Sequence, residues 1–490
     1  MISLGNPNEY WLTRWLFQRA LAVIYVVGFA TAVNQFRPLL GTRGLTPVPF
    51  FLSRVSFWQS PSLFQIHYSD GFATILAWMG LLLALFALGG WSEHFGTPVS
   101  AAVWASLWVL YLSFVNVGQT WYSFGWESLL LEVGFLAIFL GARDVAPPVI
   151  VIWMLRWVLF RLMFGAGLIK IRGDACWRDL TCLVFHYQTQ PIPNPLSWFL
   201  HRMPVWLHKA GVMFNHVAEL VVPFGYFVPW SPIRYAAGII TIAFQGSIIL
   251  SGNLSWLNWL TIVLAISCFD DRLLSRIIPL HAPDLSPLTM PHTVMLGLLT
   301  LAVVVLSVYP VRNMFSPSQV MNASFEPFHL VNTYGAFGSV GRRRTEVIME
   351  GTDDSVVTQA SAWKEYAFKA KPGDPARRPP IVAPYHLRLD WLMWFAGINK
   401  YYADPWMLPL VARLLQGDRA TLGLMGPNPF PTAPPRWIRA RLYEYRFTTA
   451  VEKRETGRWW ERSFVEEFWP PISLQSPGLM QALEMQGWNR

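Results

Sequence analysis

Four ionisable residues lie inside apolar runs, where a bilayer would make them expensive. Glu127 and Glu132 stand in one run, Arg156 and Arg161 in the next. A charge at membrane depth has to be paired or has to face a polar interior. Two acids and two bases on neighbouring helices can neutralise one another, so the expected arrangement is an ion-pair network of Glu127 or Glu132 with Arg156 or Arg161. A proton or ion pathway is the alternative use of the same residues. A second cluster, NHVAELVVPF, holds Asn215, His216 and Glu219. His216 and Glu219 are spaced i, i+3 and share a helix face. Two ligands are too few for a metal site, so interhelical hydrogen bonding is expected and no metal. Lys170 closes the run that holds Arg156 and Arg161, beside Gly165 and Gly167. A lysine at a span end ordinarily snorkels to the interface, whereas a catalytic lysine needs burial that lowers its pKa. Cys176 and Cys182 do not form a CxxC motif, and a structural disulfide and free thiols are both open. GxSxG, P-loop, dinucleotide and HExxH patterns are absent. The residues therefore assign no catalytic group and no cofactor.

The elements that position these groups follow from composition. Of 490 residues, 53% are hydrophobic and 14% charged, against about 25% charged in an ordinary soluble chain. Mean hydropathy is +0.33. Charges are thin before residue 311 and dense after it. This pattern divides the chain into a multi-pass membrane region, 1–311, and an extramembrane region, 312–490. The net charge of +9 carries no nucleic-acid motif with it, and basic residues flanking membrane spans account for the excess. The abundant Trp and Phe fit interfacial aromatic belts.

A spanning helix needs about 20 mostly apolar residues. Such runs occur at 15–33, 71–90, 99–118, 126–142, 149–170, 211–229, 233–251, 254–269 and 292–311, and a bundle of about nine spans is expected. The segment before the first run lacks a basic region, so that run reads as a retained span rather than a signal peptide. Basic residues are split between the loops of both sides, so the positive-inside rule selects no orientation. The loop 171–209 carries prolines and packing aromatics and is expected to be ordered. Beyond 311, TEVIMEG (345–351), KEYAFKAK (364–371) and LYEYRFTT (442–449) alternate as half-buried strands do. LRLDWLMWFAGI and WMLPLVARLLQGD read as helices. The expected product is a β-rich, sandwich-like domain with helical insertions. Trp391, Trp394, Trp406, Trp459 and Trp460 are its first aromatic candidates for contact with another protein.

Several long stretches resemble one family. They include YWLTRWLFQRALAVIYVVGFATAVNQFRPLLGTRGLTPV, GLIKIRGDACWRDLTCLVFHYQTQPIPNP, SGNLSWLNWLTIVLAISCFDD, NTYGAFGSVGRRRTEVIMEGTDD and PPRWIRARLYEYRF. In order and over nearly the whole chain they resemble the lipase maturation factors. The resemblance implies a multi-pass protein of the endoplasmic reticulum membrane in a eukaryote, or of the plasma membrane in a bacterium. It also implies a client among exported, lipase-like proteins, with no transferable catalytic residue. FGAGLIKIRGDACW distantly resembles the membrane region of vitamin K-dependent carboxylases as well, which implies an enzyme acting through Lys170 as the alternative. An enzyme should enclose Lys170 in a polar cavity with convergent ionisable groups. A folding factor should offer open apolar surface outside the membrane.

Overall fold

The computed structural model describes residues 6–485 and 488. Its first part holds ten helices that matter here: α1 (Trp11–Leu40), α2 (Asp70–Leu88), α3 (Thr97–Val117), α4 (Gly125–Ala137), α5 (Val149–Arg172), α6 (Cys182–Thr189), α7 (Val205–His216), α8 (Ser231–Ser251), α9 (Leu257–Ala265) and α10 (Met290–Phe315). Local chemistry sets several of their ends. Ser69 caps α2 by accepting from the Phe72 amide at 3.0 Å, and Gly90, at φ +76°, follows its end. Pro232 opens α8, where its missing N–H costs nothing.

Six of these helices are long and apolar enough to cross a membrane: α1, α2, α3, α5, α8 and α10. Nine were expected, and among the described residues six meet that criterion. The other three apolar runs fold differently. The run 126–142 becomes α4, whose residues are almost all buried. It is a core helix packed by protein on all sides. The run 254–269 becomes α9 and a short 3-10 turn, Ile266–Cys268, mostly buried as well. The run 211–229 is a broken helix: α7 passes into a π turn, Val217–Val221, and then a 3-10 segment, Val222–Phe227. Pro223 supplies no amide for an α ladder there. The broken helix runs antiparallel to α5. Asn215 meets Lys170 at one end, and Phe227 stacks on Trp153 at the other, with centroids 5.9 Å apart. Gly167 lets the two backbones close, since a Cβ there would lie 2.6 Å from Leu220.

The loop after α5 is built, not slack. It contains α6, and a disulfide joins Cys176 to Cys182. Both cysteines are buried with Trp177 and Val212.

The C-terminal part has a two-stranded ribbon, β1 (Ala323–Ser324) with β2 (Asn332–Thr333), and a four-stranded antiparallel sheet. The sheet comprises β3 (Arg344–Thr352), β4 (Lys364–Glu365), β5 (Trp437–Phe447) and β6 (Trp460–Ile472), in the order β4-β3-β5-β6. This corrects the sandwich expectation: among the described residues no second sheet covers the first. Helices do so instead, an alternative way for a sheet to bury one face. Helix α11 (Arg388–Ile398) lies on β3, where Thr345 Oγ1 donates to the Gly397 carbonyl at 2.6 Å. A Cβ on Gly397 would lie 2.5 Å from the Thr345 carbonyl oxygen. Helix α12 (Met407–Leu415) is buried and packs against β5. One apolar core runs through both parts of the chain.

Candidate functional site

Helix α5 carries two buried acid–base centres. The first joins Arg161 to Glu132 of α4. The Arg161 guanidinium donates to both Glu132 oxygens, and Nη1 also donates to the Asn332 carbonyl. Glu132 Oε2 further accepts from the Asn332 amide at 3.0 Å, its side chain at 3.1 Å and the Tyr334 hydroxyl at 2.6 Å. Glu132, Arg161, Asn332 and Tyr334 are all buried. The ion pair therefore also ties ribbon strand β2 into the membrane bundle.

The rest of the expected network is rearranged. Glu127 does not meet Arg156 or Arg161. Its partner is Arg388 at the start of α11, with Nη1 2.7 Å from Oε1, and Tyr111 donates to its other oxygen. Arg388 lies over the Tyr122 ring at 3.5 Å and donates to the Trp121 carbonyl at 2.5 Å. Arg156 pairs with no carboxylate among the described residues. It donates to the Ser267 carbonyl at 2.8 Å and to the Tyr10 hydroxyl at 3.2 Å, backbone and hydroxyl acceptors that sequence spacing does not reveal.

The second centre is at the far end of α5. Lys170 Nζ donates to Glu219 Oε1 at 2.5 Å and to Asn215 Oδ1 at 3.2 Å. Asn215 Nδ2 donates to Glu219 Oε2 at 2.8 Å. Lys170 is 5% exposed and Glu219 4%. The lysine is thus ion-paired in the interior and does not snorkel; a carboxylate in the π turn replaces the interface as its partner. His216 falls outside the cluster, because its Nε2 points across and donates to the Trp177 carbonyl at 2.9 Å.

This triad lines a cavity of about 860 Å³ between α5, α7, α8, α9 and α11. Among the described residues Lys170 and Glu219 are the charged ones on its wall, and most of the lining is apolar or aromatic. His186 of α6 also faces it, and burial, aided by the Lys170 charge, pushes its imidazole down to about 4. Neither expected pattern is met in full. Convergent polar groups surround Lys170, but they neutralise it. The five tryptophans offered for client contact are not open surface: Trp391, Trp406 and Trp460 are buried, and Trp394 and Trp459 are half-buried. Trp391 and Trp394 form part of the cavity wall. Among the described residues no group of three or more potential metal ligands occurs.

Comparison with known proteins matches both parts of this architecture. Residues 12–276 match the lipase maturation factor transmembrane domain, and residues 330–470 the lipase maturation factor C-terminal domain. The chain belongs to the lipase maturation factor family. It is 44% identical to lipase maturation factor 1 of Bos taurus, over 96% of this chain and 90% of that protein. It is 42% identical to lipase maturation factor 1 of Homo sapiens, over 99% and 91%. Against lipase maturation factor 2 of Homo sapiens the identity is 31%, over 97% and 85%. No solved structure matches. Family membership and the six apolar helices together make this a membrane protein. The comparisons give no support to a carboxylase-like enzyme.

Proposed function

We infer that the protein is a membrane-embedded maturation factor that helps secreted lipases, or other exported proteins, fold and assemble, and that it catalyses no reaction on them. One observation carries the reading: similarity to proteins named lipase maturation factors runs through the membrane region and the C-terminal region alike. In this reading residues 1–311 are the membrane unit and 312–490 the extramembrane unit that meets the client. The membrane is that of the endoplasmic reticulum in a eukaryotic host and the plasma membrane in a bacterial one. The neutralised state of Lys170, held by Glu219 and Asn215, favours a positioning role over a catalytic one, since a catalytic lysine needs a free amine.

The test is co-expression of the full chain with a secreted lipase in cells lacking their own factor. Secreted active lipase should rise at constant lipase messenger. Absence of a rise, together with crosslinking of the membrane-inserted protein that captures no exported protein, would overturn the reading. The joint variant Lys170→Met with Glu219→Leu removes both charges together. It should keep the rise; a folded variant that loses it would put the enzyme reading first.

A further inference from the structure

The cavity beside Lys170 has no role in the proposed maturation activity, and its construction points to a ligand. At about 860 Å³ it lies within the range of about 300–1,000 Å³ typical of small-molecule sites. Its rim is apolar and open: Leu196 and Met203 of the segment before α7, Phe214 of α7 and Leu250 of α8 line it and are all exposed, Leu250 at 60%. Only 33% of the apolar stretch of α8 is buried, so its outer face is left to the surrounding hydrocarbon. A molecule already dissolved in the bilayer therefore reaches the cavity sideways, without crossing water.

The inner end of the cavity is polar. Two of the three Lys170 ammonium hydrogens are taken by Glu219 and Asn215, leaving one without an oxygen acceptor among the described residues. His186, 9% exposed, packs its ring against Phe337 at 5.1 Å. Neither of its ring nitrogens has a hydrogen-bond partner among the described residues. Both groups line the cavity. The wall charges cancel, one lysine against one glutamate. A free carboxylate or phosphate would meet the Glu219 charge in a low-dielectric site, whereas a hydroxyl or an ester carbonyl can use the spare donor and the neutral imidazole.

We propose that this cavity binds an uncharged acyl lipid of the acylglycerol class taken from the bilayer, its chain along the apolar walls between α7, α8 and α9 and its ester and hydroxyl groups against Lys170 and His186. The proposal stands apart from the maturation reading, because its test involves no lipase. The full-length protein in lipid nanodiscs is exposed in turn to three photoreactive probes sharing one diazirine-bearing acyl chain: a diacylglycerol, a fatty acid and a phosphatidylcholine. The diacylglycerol should label strongest, and mapped adducts should fall on 205–215 and 244–257. Ile248→Trp fills the cavity from a half-buried lining position and leaves the ion-paired triad untouched. It should cut diacylglycerol labelling by about tenfold at an unchanged melting temperature. As a second variant Leu257→Trp, from the lining of α9, should do the same. Equal labelling by all three probes, stronger labelling by the fatty acid or phosphatidylcholine, or labelling indifferent to both folded variants would overturn the proposal.

Discussion

Two ion pairs on one helix, about two and a half turns apart, have opposite surroundings. At Arg161 the carboxylate of Glu132 is closed over by Asn332 and Tyr334 from the C-terminal region. At Lys170 the carboxylate of Glu219 is met by a single amide, and the pair borders a cavity. The chemistry is the same, one base and one acid at depth. The difference lies in what else arrives. A pair completed by a distant segment fixes that segment in place, whereas a pair left facing a void stays available to a ligand. Buried charge alone therefore does not mark function; the accommodation around it does.

The largest effect should come from opening the closed centre. Arg161→Ala or Glu132→Ala leaves an uncompensated buried charge and should cost about 3–5 kcal/mol, read as loss of the folded protein in detergent unfolding curves. Replacing both, Glu132→Leu with Arg161→Met, should recover much of that loss. At the open centre Lys170→Met should cost less, about 1–3 kcal/mol, because Glu219 keeps Asn215 and the cavity has room for water. Equal costs at the two centres would erase the distinction.

Acid should act next, and on the cavity side. The folded His186 titrates near 4, below the unfolded value of about 6.5. Between these values the unfolded chain binds more protons, so stability from this residue is complete above about pH 6.5 and falls as pH drops toward 4. Wild type should lose melting temperature across that window, and His186→Phe should flatten the slope. An unchanged slope would mean that His186 is hydrated rather than buried. The smallest effect belongs to the partly exposed bridge between Arg342 and Asp174, at 2.8 Å. Arg342 holds Asp174 down to about 2, so this contribution is present above the unfolded value of about 3.9 and is lost as pH falls toward 2. Arg342→Ala should cost under about 1 kcal/mol at neutral pH, measured by thermal unfolding.

Much of the architecture was legible in the sequence, and the failures share a cause. Hydropathy located every apolar run, because a window average detects apolar length. It could not tell α4, wrapped in protein, from a lipid-facing span, since both are apolar. The alternation at 345–351 falls within β3, and that at 442–449 overlaps β5 up to Phe447, with Thr448 and Thr449 beyond the strand end. Of 364–371 only Lys364 and Glu365 are strand, and β6 went unread: WERSFVEEFWPPI has no clean alternation and carries two prolines just before its last residue. Glu132 and Arg161 do meet, because they stand on consecutive helices. Arg388 was missed as the partner of Glu127 because it lies 261 positions away. Its signal was present all the same: His386, Arg388 and Asp390 interrupt an apolar stretch of the C-terminal region, the same anomaly that marked the membrane charges. Lys170 and Glu219 were each noticed, but separately, since nothing in a linear pattern shows a π turn bringing two segments together.

The contrast between the closed and open centres is tested most directly by paired double-mutant cycles on the full-length protein, using Glu132→Leu with Arg161→Met and Glu219→Leu with Lys170→Met. The closed pair should show a coupling energy near 3 kcal/mol, at the upper end of such measurements. The cavity pair should show about 1 kcal/mol, since water and Asn215 partly replace the missing partner. Equal couplings, or a larger one at Lys170 and Glu219, would contradict the assignment of one centre as a lock and the other as the wall of a binding site.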